Sequence, residues 1–218
     1  MSEVLVRMAL PNGEVVGPAS FLGVAERSGS IVDIDCWVLS RAIRLMAESR
    51  KQGDDLRLAV NVSGRSLTDR DRLHDVIRDE LAANAVPGDH LVIEITETTA
   101  MHDQEGAFDF ARGIKELGCG VALDDFGVGM SSFAQLKRLP IDILKIDGSF
   151  IVNLVHDRVD QQLVTTMTAA AHALNKKVVA EFVGDEETLQ ILASLGVDYV
   201  QGYHLGAPSP SQPIKLAA

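Results

Sequence analysis

Along this chain, short apolar runs repeatedly end in, or are closely followed by, an acidic or amide residue, and no other feature restricts the possible folds as much. The sharpest case is Val121-Ala122-Leu123, followed directly by Asp124-Asp125-Phe126-Gly127. Two adjacent carboxylates at the end of a buried strand are costly, because an ion leaving water must be paired or bound to a cation. The same punctuation recurs at Asn61, Glu94, Asp147, Glu181 and Gln201. Such residues on successive strands describe one polar site assembled from many strand ends. An oxygen-rich site of this kind suits a hard divalent cation.

Apolar runs of strand length fall at residues 4–8, 56–62, 90–96, 120–124, 141–146, 177–180 and 199–201. Segments of helical period lie between them, most clearly at 34–49, 70–83, 105–117, 132–139, 159–174 and 186–195. Thr68-Asp69 and Asp185 are expected to cap two of these helices, and Gly53, Gly118 and Gly196 to terminate others. Strands rich in Val, Ile and Leu without strict alternation fit a parallel sheet covered by helices. The repeated strand–helix unit allows an open doubly wound sheet or a closed barrel. The barrel is preferred, because only a ring brings the C-terminal ends of nearly all strands to one mouth.

Taken singly, several of these residues have plainer readings. Asp124 and Asp125 suit a helix cap or an ion pair, Asn61 a loop contact, and Lys145 with Asp147 a simple pair, while alternation leaves the face of Glu94 open. The glycines of Gly127-Val128-Gly129 permit close backbone approach but lack the third glycine of a dinucleotide fingerprint. The six histidines show no ligand spacing and are expected at the surface or on helices, so zinc is not expected, and Trp37 and Met130 read as packing residues. Cys36 and Cys119 are too few and too distant for a disulfide framework, which suits a cytoplasmic location. No run approaches membrane-spanning length. A net charge of −11 argues against binding duplex nucleic acid, although a bound cation would still let the acidic mouth hold a phosphate ester.

Together, Glu3-Val4-Leu5-Val6-Arg7, Asn61-Val62-Ser63, Glu94-Ile95-Thr96-Glu97, Asp124-Asp125-Phe126-Gly127, Lys145-Ile146-Asp147, Val179-Ala180-Glu181 and Gln201-Gly202-Tyr203 resemble, in order, the motifs of the EAL family, the phosphodiesterases and receptors of cyclic di-GMP. The resemblance implies an α/β fold, a modified TIM-like barrel, in a domain over residues 1–210 with a C-terminal tail at 211–218. It implies hydrolysis of cyclic di-GMP to linear pGpG with Mg²⁺ or Mn²⁺ in a two-metal site; the alternative is a catalytically silent receptor or scaffold. By position, Glu3, Asn61, Glu94 and Asp124 would hold one cation, and Asp124, Asp125, Asp147 and Glu181 would lie at or around the other. Lys145 would position the attacking water with Glu181 nearby, Arg7 would contact a substrate phosphate, Gln201 would complete the site, and Asn61 would also face the substrate. Glu97 would brace the loop after Asp125. A homodimer and an upstream sensory or GGDEF domain are further implications.

Four departures from the family pattern stand out. Glu-Val-Leu replaces Glu-Ala-Leu; Val128 and Met130 replace the usual Thr and Tyr; and Phe182-Val183-Gly184 replaces Gly-Val-Glu. The fourth is at the start: Glu3 lies almost at the N-terminus, so the family's usual first barrel strand is expected to be missing.

Overall fold

The computed structural model describes residues 1–129 and 133–209, with backbone only for Phe133; Met130 of the altered loop and the expected tail at 211–218 lie outside the described residues. In chain order the elements are β1 (Ser2–Val4), β2 (Met8–Ala9), β3 (Val15–Val16), α1 (Leu22–Ser28), α2 (Ile31–Lys51), β4 (Leu58–Asn61), α3 (Arg70–Asn84) and β5 (Leu91–Thr96). They continue with α4 (Glu97–His102), α5 (Gln104–Glu116), β6 (Gly120–Phe126), α6 (Phe133–Arg138), β7 (Ile143–Ile146), α7 (Arg158–Ala173), β8 (Lys177–Ala180), α8 (Glu186–Ser194) and β9 (Tyr199–Val200). Seven strands form one parallel sheet in the order β1-β4-β5-β6-β7-β8-β9, and β2 pairs with β3 in a separate antiparallel hairpin.

Alternation along the central strands sorts side chains onto two faces. Val60, Ile93, Ile95, Val121, Leu123, Leu144, Ile146, Val178 and Ala180 join one large core with helix residues such as Leu39, Ile43, Ile77, Phe110, Ile114 and Val164. The intervening Ala59, Val92 and Ala122, with Ile143 against them, form a second, small cluster made only of strand residues. This inner face is therefore an apolar floor, and one step further along each strand come Asn61, Glu94, Asp124 and Lys145. The sheet curls until its opposite edges nearly meet, since the Gln201 side-chain amide just past β9 donates to the Glu3 carboxylate of β1 at 2.5 Å. Among the described residues no ladder joins β1 to β9, so the architecture is a TIM-like α/β barrel short of one strand.

Local signals explain many boundaries. Asp185 caps α8 by accepting from the Thr188 amide at 2.8 Å, and Asp157 caps α7 through the Val159 and Asp160 amides. Gly118 and Gly196 follow α5 and α8 with φ of 78° and 82°, the left-handed region that glycine enters without a Cβ penalty. Asp198 ties β8 down, accepting from the Val178 amide, the Lys177 ammonium and the His172 ring.

Several expectations are corrected. The first strand is Ser2–Val4 rather than 4–8, and Met8 instead enters the β2–β3 hairpin. Asp69 stands at the N-cap of α3 but its side chain caps nothing, because a 3₁₀ turn over Ser66–Asp69 leads directly into the helix. Trp37 is 45% exposed and is not a core residue. His90 is buried at the end of a 3₁₀ turn over Gly88–His90, with Nε2 3.2 Å from Asp55, rather than on the surface. No described helix is long and apolar enough to cross a membrane.

Candidate active site

At the C-terminal mouth of the sheet, Lys145 organises the polar layer. Its ammonium lies 2.9 Å from Glu94, 3.0 Å from Asp124, 2.8 Å from Glu181 and 4.0 Å from Glu3. Lys145 and Glu94 are each only 1% exposed, so this is a buried ionic cluster rather than a solvated surface pair. Burial disfavours the ammonium, but Glu94, Asp124, Glu181 and Glu3 together hold the Lys145 pKa above the ordinary lysine value. One cation cannot balance so many carboxylates. Burial, opposed by Lys145 and reinforced by Asp124 and Glu3, therefore pushes Glu94 up to about 8. Burial likewise pushes Glu181 up to about 7, against the pull of Lys145. The cluster retains protons where an additional cation would replace them.

The adjacent carboxylates Asp124 and Asp125 reach one region by a backbone irregularity. In a regular strand neighbouring side chains point to opposite faces. Here the β6–β7 register shifts between Leu123 and Phe126, and Asp125 takes a left-handed φ of 54°. Such a bulge re-aims a side chain, and Asp tolerates the left-handed conformation better than most residues. One carboxylate oxygen each from Asp124, Asp125 and Glu181 consequently lie within 4.8 Å of one another. Burial, then the charges of Asp124 and Asp147, raise the Asp125 pKa, and the Asp147 amide donates to the Phe126 carbonyl at 3.3 Å, one residue past Asp125. Asp147 itself accepts from the Ser149 amide at 2.9 Å as the cap of the turn after β7.

Amide side chains orient Glu3. Asn61 donates to one of its oxygens at 2.6 Å and Gln201 to the other. Arg7, three residues beyond β1, is exposed, and its guanidinium donates to the Val6 carbonyl at 2.8 Å. Glu97 opens α4 beside the strand end, and its carboxylate accepts from the Gly127 and Gly129 amides at 2.8 and 3.1 Å. It thus fixes the backbone that follows Asp125. At Gly129 an added Cβ would lie 2.5 Å from the Glu97 carboxylate, which accounts for glycine there.

Replacing Glu97 with Ala should leave both amides unpaired and destabilise the fold by about 2–4 kcal/mol. Native-state hydrogen exchange should then show the Gly127 and Gly129 amides exchanging far faster than in the unaltered protein; unchanged protection would contradict the bracing role.

All the expected site residues except Arg7 and Asp147 take part in this connected mouth network directly; Asp147 borders it through Asp125, and Arg7 stands at the exposed rim. Sequence reasoning missed Asp35, a buried acid on α2 that accepts from the Ser63 amide at 2.9 Å and the Ser66 hydroxyl at 2.7 Å. It anchors the loop leaving Asn61. Its signal was an acid on the otherwise apolar face of α2, beside Ile31, Val38, Leu39 and Ala42. The donors that converge are all oxygens on acidic side chains, half-buried or buried, with no histidine or thiol among them. That set fits a hard divalent cation such as Mg²⁺ or Mn²⁺ better than zinc or copper.

The EAL domain family profile matches residues 2–208. PdeF of Escherichia coli K12, named a cyclic di-GMP phosphodiesterase, is 39% identical over 208 residues, covering 95% of this chain and 28% of the relative. MucR of Pseudomonas aeruginosa, named a bifunctional diguanylate cyclase/cyclic di-GMP phosphodiesterase, is 38% identical over 211 residues, covering 96% of this chain and 31% of the relative. The chain thus spans about three-tenths of the length of these curated relatives. Among solved structures, the PaMucR phosphodiesterase in complex with c-di-GMP superposes with a TM-score of 0.90 at 38% identity, covering 96% of this chain and 85% of that one. The FimX EAL domain from P. aeruginosa bound to c-di-GMP gives 0.88 at 34% identity, covering 95% and 83%. With its motifs, its curled sheet and these matches in agreement, the chain belongs to the EAL domain family.

Proposed function

We propose that this domain hydrolyses cyclic di-GMP to linear pGpG with the aid of Mg²⁺ or Mn²⁺. The observation that carries the reading is the buried ring of Glu3, Glu94, Asp124 and Glu181 around Lys145, with Asp125 re-aimed toward it by the bulge. Relatives of this chain are named phosphodiesterases of that nucleotide.

In this reading Glu3, Asn61, Glu94 and Asp124 would hold one cation, and Asp124, Asp125, Asp147 and Glu181 would hold or surround a second. When bound, the pair supplies Lewis acidity toward the phosphate and lowers the pKa of the attacking water. The chain's own residues do the rest. Arg7 would swing its guanidinium fork onto a phosphate, a geometry suited to two oxygens at once. Glu181 would accept a proton from the attacking water at a carboxylate oxygen, and the Lys145 ammonium would orient that water and offset charge developing at phosphorus. Water oxygen forms the new bond to phosphorus, the bond to the 3′ oxygen breaks, and that oxygen takes up a proton, leaving pGpG with a 5′-phosphate. Asn61 and Gln201 keep Glu3 oriented, and Glu97 keeps Asp125 in place.

A second copy of the domain and an upstream sensory or GGDEF segment belong to the same reading, as does a cytoplasmic setting. The short span of the chain relative to its relatives supports a place in a longer protein. Nucleotide binding without turnover is the second reading, favoured by one feature: the chain has Gly184 and exposed Val128 beside the site where family members carry more polar residues. Equilibrium dialysis of cyclic di-GMP, with and without Mn²⁺, tests the shared part of both readings; absence of binding in either condition would remove both.

The raised carboxyl pKa values give a pH signature. With Glu181 at about 7 and Glu94 at about 8, against an ordinary value of 4.5, the folded protein binds more protons than the unfolded chain across that interval. Stability in chelator should therefore fall as pH rises from about 5 to 8. Mg²⁺ should flatten the fall by taking the place of the protons. Thermal melts across this range check it, and a slope of the opposite sign in chelator would contradict the cluster's charge balance.

A further inference from the structure

Asp125 and Gly127 both take left-handed backbone, with φ of 54° and 107°, so the segment after the bulge keeps its shape by side-chain contacts rather than by regular strand pairing. Glu97 supplies one such contact through the Gly127 and Gly129 amides. An aromatic ring supplies another. An added Cβ at Gly127 would lie 2.6 Å from Cε2 of Phe150 and 3.0 Å from Cζ, with the Met167 sulfur of α7 at 3.5 Å. The ring edge therefore rests against the Gly127 Cα, and a side chain at 127 would displace it.

Phe150 is itself held in place. It ends the 3₁₀ turn over Gly148–Phe150 that follows Asp147, its amide donates to the Asp147 carbonyl at 3.2 Å, and its ring packs against the main core. A phenyl group has no polar atom, so it neither ligates a cation nor binds a phosphate, and its effect passes through the backbone it touches. Gly127, lacking a Cβ, moves readily between left- and right-handed conformations once that contact is lost. The preceding residues are then free to relax toward regular strand, in which Asp125 would point away from Asp124. We propose that Phe150 is a positioning residue for the cation site: its ring, set against Gly127, keeps Asp125 turned toward Asp124 and Glu181. The inference rests on the reading of these carboxylates as a divalent-cation site.

Mn²⁺ binding without nucleotide, followed by the electron paramagnetic resonance of the free ion, tests it on the unaltered protein, Phe150→Ala, Phe150→Leu and Leu154→Ala. Leu154 is a buried core residue in the same connection between β7 and α7. Phe150→Ala should raise the Kd for Mn²⁺ about tenfold, as loss of a residue that orients metal ligands does. Leucine keeps much of the bulk and should raise Kd only about threefold; this variant decides the matter if the alanine variant does not fold. Leu154→Ala removes a buried side chain of the same region and should lower Tm at least as far as Phe150→Leu, yet leave Kd within about twofold. An unchanged Kd in both Phe150 variants, with Mn²⁺ bound by the unaltered protein, would overturn the positioning role and leave the cation site intact. A Kd raised as much by Leu154→Ala as by Phe150→Ala would make the effect one of general stability and also overturn it. Failure of the unaltered protein to bind Mn²⁺ would overturn the cation-site reading and this inference together.

Discussion

Lys145→Met is expected to destabilise the metal-free protein by about 3–5 kcal/mol, the cost of leaving buried charges uncompensated when their partner is removed. For a chain of 218 residues this corresponds to a fall in Tm of about 10 °C. The physical cause is specific. Lys145 is the cation within 3.0 Å of Glu94, Asp124 and Glu181, and Glu94 and Lys145 are almost wholly withdrawn from solvent. Methionine matches the length of the stem but brings no charge, so the carboxylates must repel one another, take up protons or bind metal. Much of the lost stability should return at pH 5, where Glu181 and Glu94 are protonated, and part should return with excess Mg²⁺ at pH 8. Thermal melts at both pH values, with and without cation, check this. A variant as stable as the parent in chelator at pH 8 would mean that Lys145 does not balance the cluster.

Glu181→Gln should reduce kcat for cyclic di-GMP by at least about 10³-fold while leaving the fold and much of the nucleotide affinity intact. The amide keeps the shape of the side chain but can no longer accept a proton from water, and it is a weaker cation ligand. Stability should hold, because the substitution removes a buried carboxylate whose pKa is already raised by desolvation, and Lys145 retains Glu94 and Asp124. Michaelis kinetics alongside equilibrium binding separate the two effects. Undiminished turnover would remove Glu181 from the chemistry.

Much of this arrangement was legible from residue order because strand-end polarity is a periodic signal. Once the central strands are taken as parallel and helix-covered, alternation sends Asn61, Glu94, Asp124 and Lys145 to the inner face above the Ala59–Val92–Ala122 floor. What escaped depends on tertiary geometry. Alternation applied strictly would send Asp125 away from Asp124, and only the bulge with its left-handed residue reverses this. The apolar run from Val4 through Val6 suggested a strand at 4–8, yet pairing with β4 stops at Val4, because register with Leu58–Val60 decides the strand and hydrophobicity alone does not. The short helices α1 and α4 are too brief for a reliable period, although Thr96 caps α4 through the Thr99 amide in the manner of a local start signal. Asp35 escaped although it interrupts the apolar face of α2, because a single acid on a helix reads as surface until its partners, Ser63 and Ser66, are brought to it by the fold. Phe182 stood out only as a departure from a pattern; its exposure and left-handed backbone are properties of the folded rim.

The most direct test of the account is hydrolysis of cyclic di-GMP by this chain in Mg²⁺ or Mn²⁺, with the products separated chromatographically and a parallel reaction in chelator. The account predicts pGpG in the presence of cation and none in chelator. Binding of cyclic di-GMP without pGpG at any cation concentration would contradict the hydrolytic reading and make the mouth a receptor site.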